Sequence, residues 1–155
     1  AGTPDESVTD VDGLATTHTD PAPTAATADP LGVTCIDHLV VMTPDLDRTV
    51  AAVEGHLGLP CRRVREAGGG VVQAFFRMGE VVLEVVTSPQ VPDGSARFWG
   101  ITFTVRDLDA AAARLGPERA GEPKPAVQPG RRIVTVRKAA GLAIPVALMD
   151  ADPRR

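Results

Sequence analysis

The segment Gly100-Ile101-Thr102-Phe103-Thr104-Val105-Arg106-Asp107-Leu108-Asp109 repeats the pattern of His38-Leu39-Val40-Val41-Met42-Thr43-Pro44-Asp45-Leu46-Asp47 at a constant offset of 62 residues. An internal repeat of this size means two copies of one supersecondary unit, each needing the other to bury its apolar surface. In the first copy Cys35 to Met42 reads as a strand, and Asp45 is a plausible N-cap for a helix with Leu46, Val50 and Val53 on its core face, ending near Gly55 to Gly58. Strands over Cys61 to Arg65, Val71 to Met78 and Val81 to Val86 follow, the last two joined by Gly79-Glu80 as a two-residue hairpin turn. The unit is βαβββ. The second copy supplies a strand to Val105, an alanine-rich helix from Ala110 to Leu115, and strands over Ile133 to Arg137 and Ile144 to Met149. Its remaining strand is faint, inside residues 119–128 of a Pro-rich stretch. The expected fold class is α+β.

This organisation predicts one domain over residues 33–150, with module one at 33–88, a Pro- and Gly-containing linker at 89–96 and module two at 97–150. Residues 151–155 form a C-terminal tail. Residues 1–32 carry six acids, no Lys or Arg, and mostly Ala, Thr and Pro, a composition that predicts a disordered tail in which His18 is solvated. The six acids of that tail outweigh the whole chain's net charge of -4 and leave the rest slightly basic, a distribution that offers no basic stripe for nucleic acid. No apolar run approaches the roughly 20 residues of a membrane-spanning helix. No secretory signal is visible, so the cytoplasm is the default expectation. Cys35 and Cys61 have no metal-ligand spacing and are expected as free buried thiols.

The run Ile36-Asp37-His38-Leu39-Val40-Val41 with Pro44-Asp45-Leu46-Asp47, then Leu57-Gly58-Leu59, then Gly79-Glu80-Val81-Val82-Leu83-Glu84-Val85-Val86, resembles the vicinal oxygen chelate superfamily, which includes glyoxalases, bleomycin-resistance proteins and extradiol dioxygenases. The resemblance implies a cup-shaped mixed sheet with helices on its outer face and a small-molecule site inside. It implies homodimers, and in metal-dependent members a divalent ion held by His or Gln and Glu from the first and last strands of each module. His38 and Glu84 stand at two of those positions. Gly100 and Ala147 stand at the other two and have no ligating side chain. A metal site commonly needs about three protein ligands, so both cofactor readings stay open: a divalent ion, or none.

Strand alternation assigns the faces. With Gly79-Glu80 as the turn, Gln73, Phe75, Arg77, Val82, Glu84 and Val86 share one mixed face, and Ala74, Phe76, Met78, Val81, Leu83 and Val85 form an apolar face for the helix. On the first strand His38 joins the mixed face. On its repeat Thr102 and Thr104 do so, while Trp99, Ile101 and Phe103 go to the helix side as core. His38 and Glu84 are the candidate catalytic residues, and Gln73, Phe75, Arg77, Thr102, Thr104 and Arg131 the candidate ligand-binding residues. Arg77 is also placed to neutralise Glu84, since a buried charge is tolerated mainly when paired. Of the adjacent Arg131 and Arg132 at most one can point inwards, where a guanidinium could hold a ligand's carboxylate or phosphate.

Four functions fit these residues. One is a lyase, isomerase or dioxygenase using a metal ion, as the resemblance implies. Another is a metal-free module that sequesters a small organic compound, as resistance proteins do. A third is metal-free acid-base catalysis by His38 and Glu84, and the last is a non-catalytic dimerisation domain.

Overall fold

A computed structural model of the chain describes residues 8–17, 19 and 29–152; His18 and residues 153–155 lie outside them. The described residues form a mixed α+β fold. In chain order the elements are β1 (Val8–Val11), β2 (Leu14–Thr17), β3 (Val33–Met42), α1 (Leu46–Leu57), β4 (Arg63–Gly68), β5 (Val71–Met78), β6 (Val81–Thr87), β7 (Arg97–Val105), α2 (Leu108–Leu115), β8 (Lys124–Pro125), β9 (Arg132–Val136) and β10 (Val146–Asp150). The chain divides into two compact units, one holding Val41–Met78 and Leu83–Phe98 with the N-terminal hairpin, the other Thr27–Val40, Gly79–Val82 and Trp99 onwards.

In the first unit the strands run in the order β4-β5-β6, with β4 antiparallel to β5. Helix α1 starts at Asp45, whose side chain accepts from the Arg48 N–H at 3.0 Å, and stops at Gly58 in the left-handed conformation (φ 64°) that glycine alone adopts freely. It packs against β5. The apolar face read from alternation is buried at Ala74, Phe76, Leu83 and Val85.

The second unit repeats these devices. The Asp107 side chain accepts from the Ala110 N–H at 2.9 Å, the counterpart of the Asp45 cap, and α2 ends before Gly116. Its strands follow the order β3-β7-β10-β9-β8, with β10 parallel to β7 and antiparallel to β9. The faint strand is the two-residue β8 plus an isolated bridge from Ala120 to Val136. Pro123 and Pro125 have no N–H to donate, which limits any longer ladder here. Beneath α2 a core forms from Val105, Leu108, Ala111, Ala120, Val134 and Leu148.

Three expectations are corrected. The tail expected to be disordered contains the β1-β2 hairpin. It turns through Asp12-Gly13, both with positive φ (51° and 88°) as a type I′ turn requires, and its Val11 is buried. Two strands alone are marginal in water, and this pair is anchored by Asp12, whose carboxylate accepts from Arg48 Nε at 2.7 Å and from the Thr49 hydroxyl at 2.5 Å while its carbonyl accepts from the Ala96 N–H. Trp99 is exposed (44%) instead of core, because α2 covers the other end of β7 around Val105. Cys35 is exposed and Cys61 half-buried; both are free thiols, but neither is buried.

Candidate functional site

A partly buried polar cluster in the second unit is built by β3, β7 and the residues leading into β9. Its centre is Asp37. One carboxylate oxygen meets His38 Nδ1 at 2.9 Å, and the other accepts from Arg131 Nη2 at 2.5 Å and from the Thr104 hydroxyl at 3.3 Å. His38 Nε2 lies 3.0 Å from the Thr102 hydroxyl. Arg131 also donates from Nε and Nη2 to the Asp150 carbonyl, at 2.9 and 2.7 Å. Thr34 donates to the Thr104 carbonyl at 3.2 Å and ties β3 to β7 at the same place.

The electrostatics of the cluster keep Asp37 ionised. Burial alone would push the Asp37 carboxyl up, but hydrogen bonds from His38 and Arg131, together with their charges, outweigh it and hold the group well below the usual carboxylate range. An ionised carboxylate only accepts, so the proton between it and His38 sits on Nδ1. With its proton on Nδ1, the neutral form of the ring would carry its lone pair at Nε2, 3.0 Å from the Thr102 hydroxyl.

Arg131 does not serve as the free guanidinium expected to bind a ligand. It is almost fully buried, and its donors go to Asp37 and the Asp150 carbonyl. The adjacent pair does split between faces: Arg132 turns outward to Asp109 of α2 and to the Asp150 carboxylate, both at 2.9 Å. Thr102 and Thr104 are buried and directed to His38 and Asp37. Asp37 itself was missed, because strict alternation sends it to the face opposite His38. A carboxylate inside a β-branched strand was nevertheless a signal, since it can be buried only with a partner.

The first unit brings together Arg65, Gln73 and Glu84: Arg65 donates to the Gln73 side-chain oxygen, and Gln73 donates through its amide nitrogen to Glu84. Arg77, expected beside Glu84, is exposed, and no hydrogen bond joins the two. The guanidinium of Arg65 lies 6.0 Å from the centre of the Phe75 ring, so Phe75 is a platform for Arg65.

The residues do not fit the divalent ion that the resemblance implies. Among the described residues no three His, Cys, Asp or Glu side chains come together as a site would need. Both ring nitrogens of His38 are engaged, and Glu84 is held by Gln73. Gly100 has a structural reason to lack a side chain. A Cβ there would lie 2.9 Å from the Pro145 carbonyl oxygen, which accepts from the Ile101 N–H at 3.1 Å. Gly100→Ala is accordingly expected to destabilise the fold by about 1–3 kcal/mol through overpacking, measured as a lowered denaturation midpoint; an unchanged midpoint would show that β10 gives way freely.

The model of the Glyoxalase/Bleomycin resistance protein/Dioxygenase superfamily matches residues 35–142. The chain belongs to this superfamily. Among curated protein sequences none matches. Solved structures share the fold. Methylmalonyl-CoA epimerase from Mycobacterium tuberculosis is 20% identical with a TM-score of 0.61, covering 84% of this chain and 95% of its own. A hypothetical protein from Bacillus halodurans is 16% identical, TM-score 0.61, covering 77% and 96%. Streptomyces coelicolor methylmalonyl-CoA epimerase, in complex with 2-nitronate-propionyl-CoA, is 22% identical, TM-score 0.60, covering 77% and 98%. The glyoxalase-like fold is thus the common ground, and no helix among the described residues is long and apolar enough to cross a membrane.

Proposed function

We propose that this glyoxalase-like protein binds a small organic carbonyl compound and moves a proton on it through His38, without a metal ion. The observation that carries the reading is the orientation of His38: Nδ1 lies 2.9 Å from the Asp37 carboxylate and Nε2 3.0 Å from the Thr102 hydroxyl, an arrangement that in the neutral ring puts the proton on Nδ1 and the basic lone pair on Nε2. A base of this kind needs its ring fixed and its tautomer set, which the partly buried Asp37 carboxylate does. Arg131 is a positioning residue that keeps Asp37 ionised and in place. Thr102 is the group a ligand would displace from Nε2, and losing one neutral hydrogen bond costs only about 1 kcal/mol. The similarity in fold to epimerases acting on methylmalonyl-CoA supports the same chemistry, since inverting a carbon beside a carbonyl requires removal and return of a proton.

The test is deuterium wash-in. The protein, stripped with a chelator, is incubated in D2O with a panel of small acyl thioesters and 2-substituted carbonyl acids, methylmalonyl-CoA among them. Deuterium is expected at the carbon next to the carbonyl, at a rate unchanged by the chelator. Tight binding without exchange would replace this reading with a second one, a sequestering module. That reading needs only a cavity whose buried polar groups are already satisfied, as every buried side-chain nitrogen and oxygen among the described residues is.

A further inference from the structure

The two helices of the repeat differ in length. Helix α1 has 12 residues and α2 only 8, about 18 Å against about 12 Å at the usual rise per residue. The shorter helix leaves part of the sheet in its unit uncovered. Val105 is sealed under α2, whereas Phe103 and Ile101, next along the same face, are only half-buried. The result is a cleft of about 900 Å³ on this face, whose walls include Phe103, Leu115, Val136, Ile144 and Val146. The volume is within the range of small-ligand pockets, roughly 300–1,000 Å³. On β7 it lies on the face opposite Thr102 and Thr104, so it is separate from the His38 cluster.

One charge at its edge points to the class of occupant. Arg119 lines the cleft. Its backbone is pinned, the N–H donating to the Gly116 carbonyl at 3.1 Å and the carbonyl accepting from the Arg137 N–H at 2.7 Å. Its guanidinium, by contrast, has no carboxylate partner among the described residues, unlike those of Arg48, Arg131 and Arg132. The other charged lining residue, Asp29, already accepts from the Leu31 N–H at 2.7 Å. An apolar cleft with one uncommitted guanidinium at its rim suits an amphiphile with a single anionic head. We infer that this cleft is a second ligand site, for an apolar chain or ring ending in a carboxylate, with Arg119 receiving the carboxylate.

The experiment titrates the intact chain with dodecanoate and, separately, with dodecanol, below their aggregation limits, following the methyl resonances of Ile101, Leu115, Val136, Ile144 and Val146. Saturable shifts confined to these methyls are expected. Arg119→Gln, at an exposed position, is expected to weaken dodecanoate about tenfold, equivalent to about 1.4 kcal/mol, and to leave dodecanol unchanged. Ala143→Trp, also exposed, is expected to weaken both by filling the cleft. Three results would overturn the proposal: no shift with either probe, equal dodecanoate affinity in Arg119→Gln, or cleft methyls already protected in a dimer that sedimentation detects without probe. The last would assign the cleft to a second copy of the chain.

Discussion

Replacing Asp37 by alanine is expected to lower folding stability by about 3–5 kcal/mol, the usual cost of leaving one member of a buried ion pair without the other. The magnitude follows from burial, since the Asp37 and Arg131 side chains are 15% and 5% exposed. Without the carboxylate, the Arg131 guanidinium keeps only the Asp150 carbonyl, and His38 and Thr104 each lose an acceptor. Removing the guanidinium as well, in Asp37→Ala with Arg131→Met, relieves the stranded charge, so the double variant should be far less destabilised than the two single losses added together. Urea denaturation of the four proteins decides it; additive losses would mean the pair is not coupled. The pH dependence has a definite sign. The folded-state value for Asp37 lies below its ordinary one, so the stability it contributes is complete above about pH 3.9 and is lost as the pH falls from there through the lowered folded value. The gap in stability between the wild type and Asp37→Asn should therefore narrow in acid.

His38→Asn is expected to reduce proton exchange on a bound carbonyl compound by about 10²–10⁴-fold, the usual contribution of a positioned acid-base group. Asparagine can still donate toward Asp37, so the cluster stays together, but it has no basic nitrogen. The loss should fall on kcat, with ligand affinity changed only a few-fold. Asp37→Asn, which no longer demands the proton on Nδ1, should lower kcat in the same direction while leaving His38 present. A His38→Asn protein that exchanges at the wild-type rate would remove His38 from the chemistry.

Much of the fold was legible because the repeat carries its own punctuation. Asp45 and Asp107 cap their helices through the same bond, and β5 occupies the residues that alternation assigned to it. The hairpin at Val8–Thr17 was not read, because composition averaged over 32 residues hides one Asp-Gly turn and because its stability comes from Arg48 and Thr49, distant in sequence. Trp99 was misplaced for a related reason: alternation gives the face, but the length of α2 decides how much of that face is covered. At the site, the histidine was visible and its partner was not. Asp37 breaks strict alternation with His38 and is satisfied by Arg131, 94 positions away, which pattern reading within a strand cannot supply.

Proton transfer through His38 depends on the state of its ring, which nitrogen-15 NMR of the imidazole reads directly. The neutral ring is predicted to carry its proton on Nδ1, with an unprotonated Nε2, in spectra that do not change when a chelator or Zn²⁺ is added. A proton found on Nε2 of the neutral ring, or ring signals that move with stoichiometric metal, would rule out metal-free proton transfer by the Nε2 lone pair of His38.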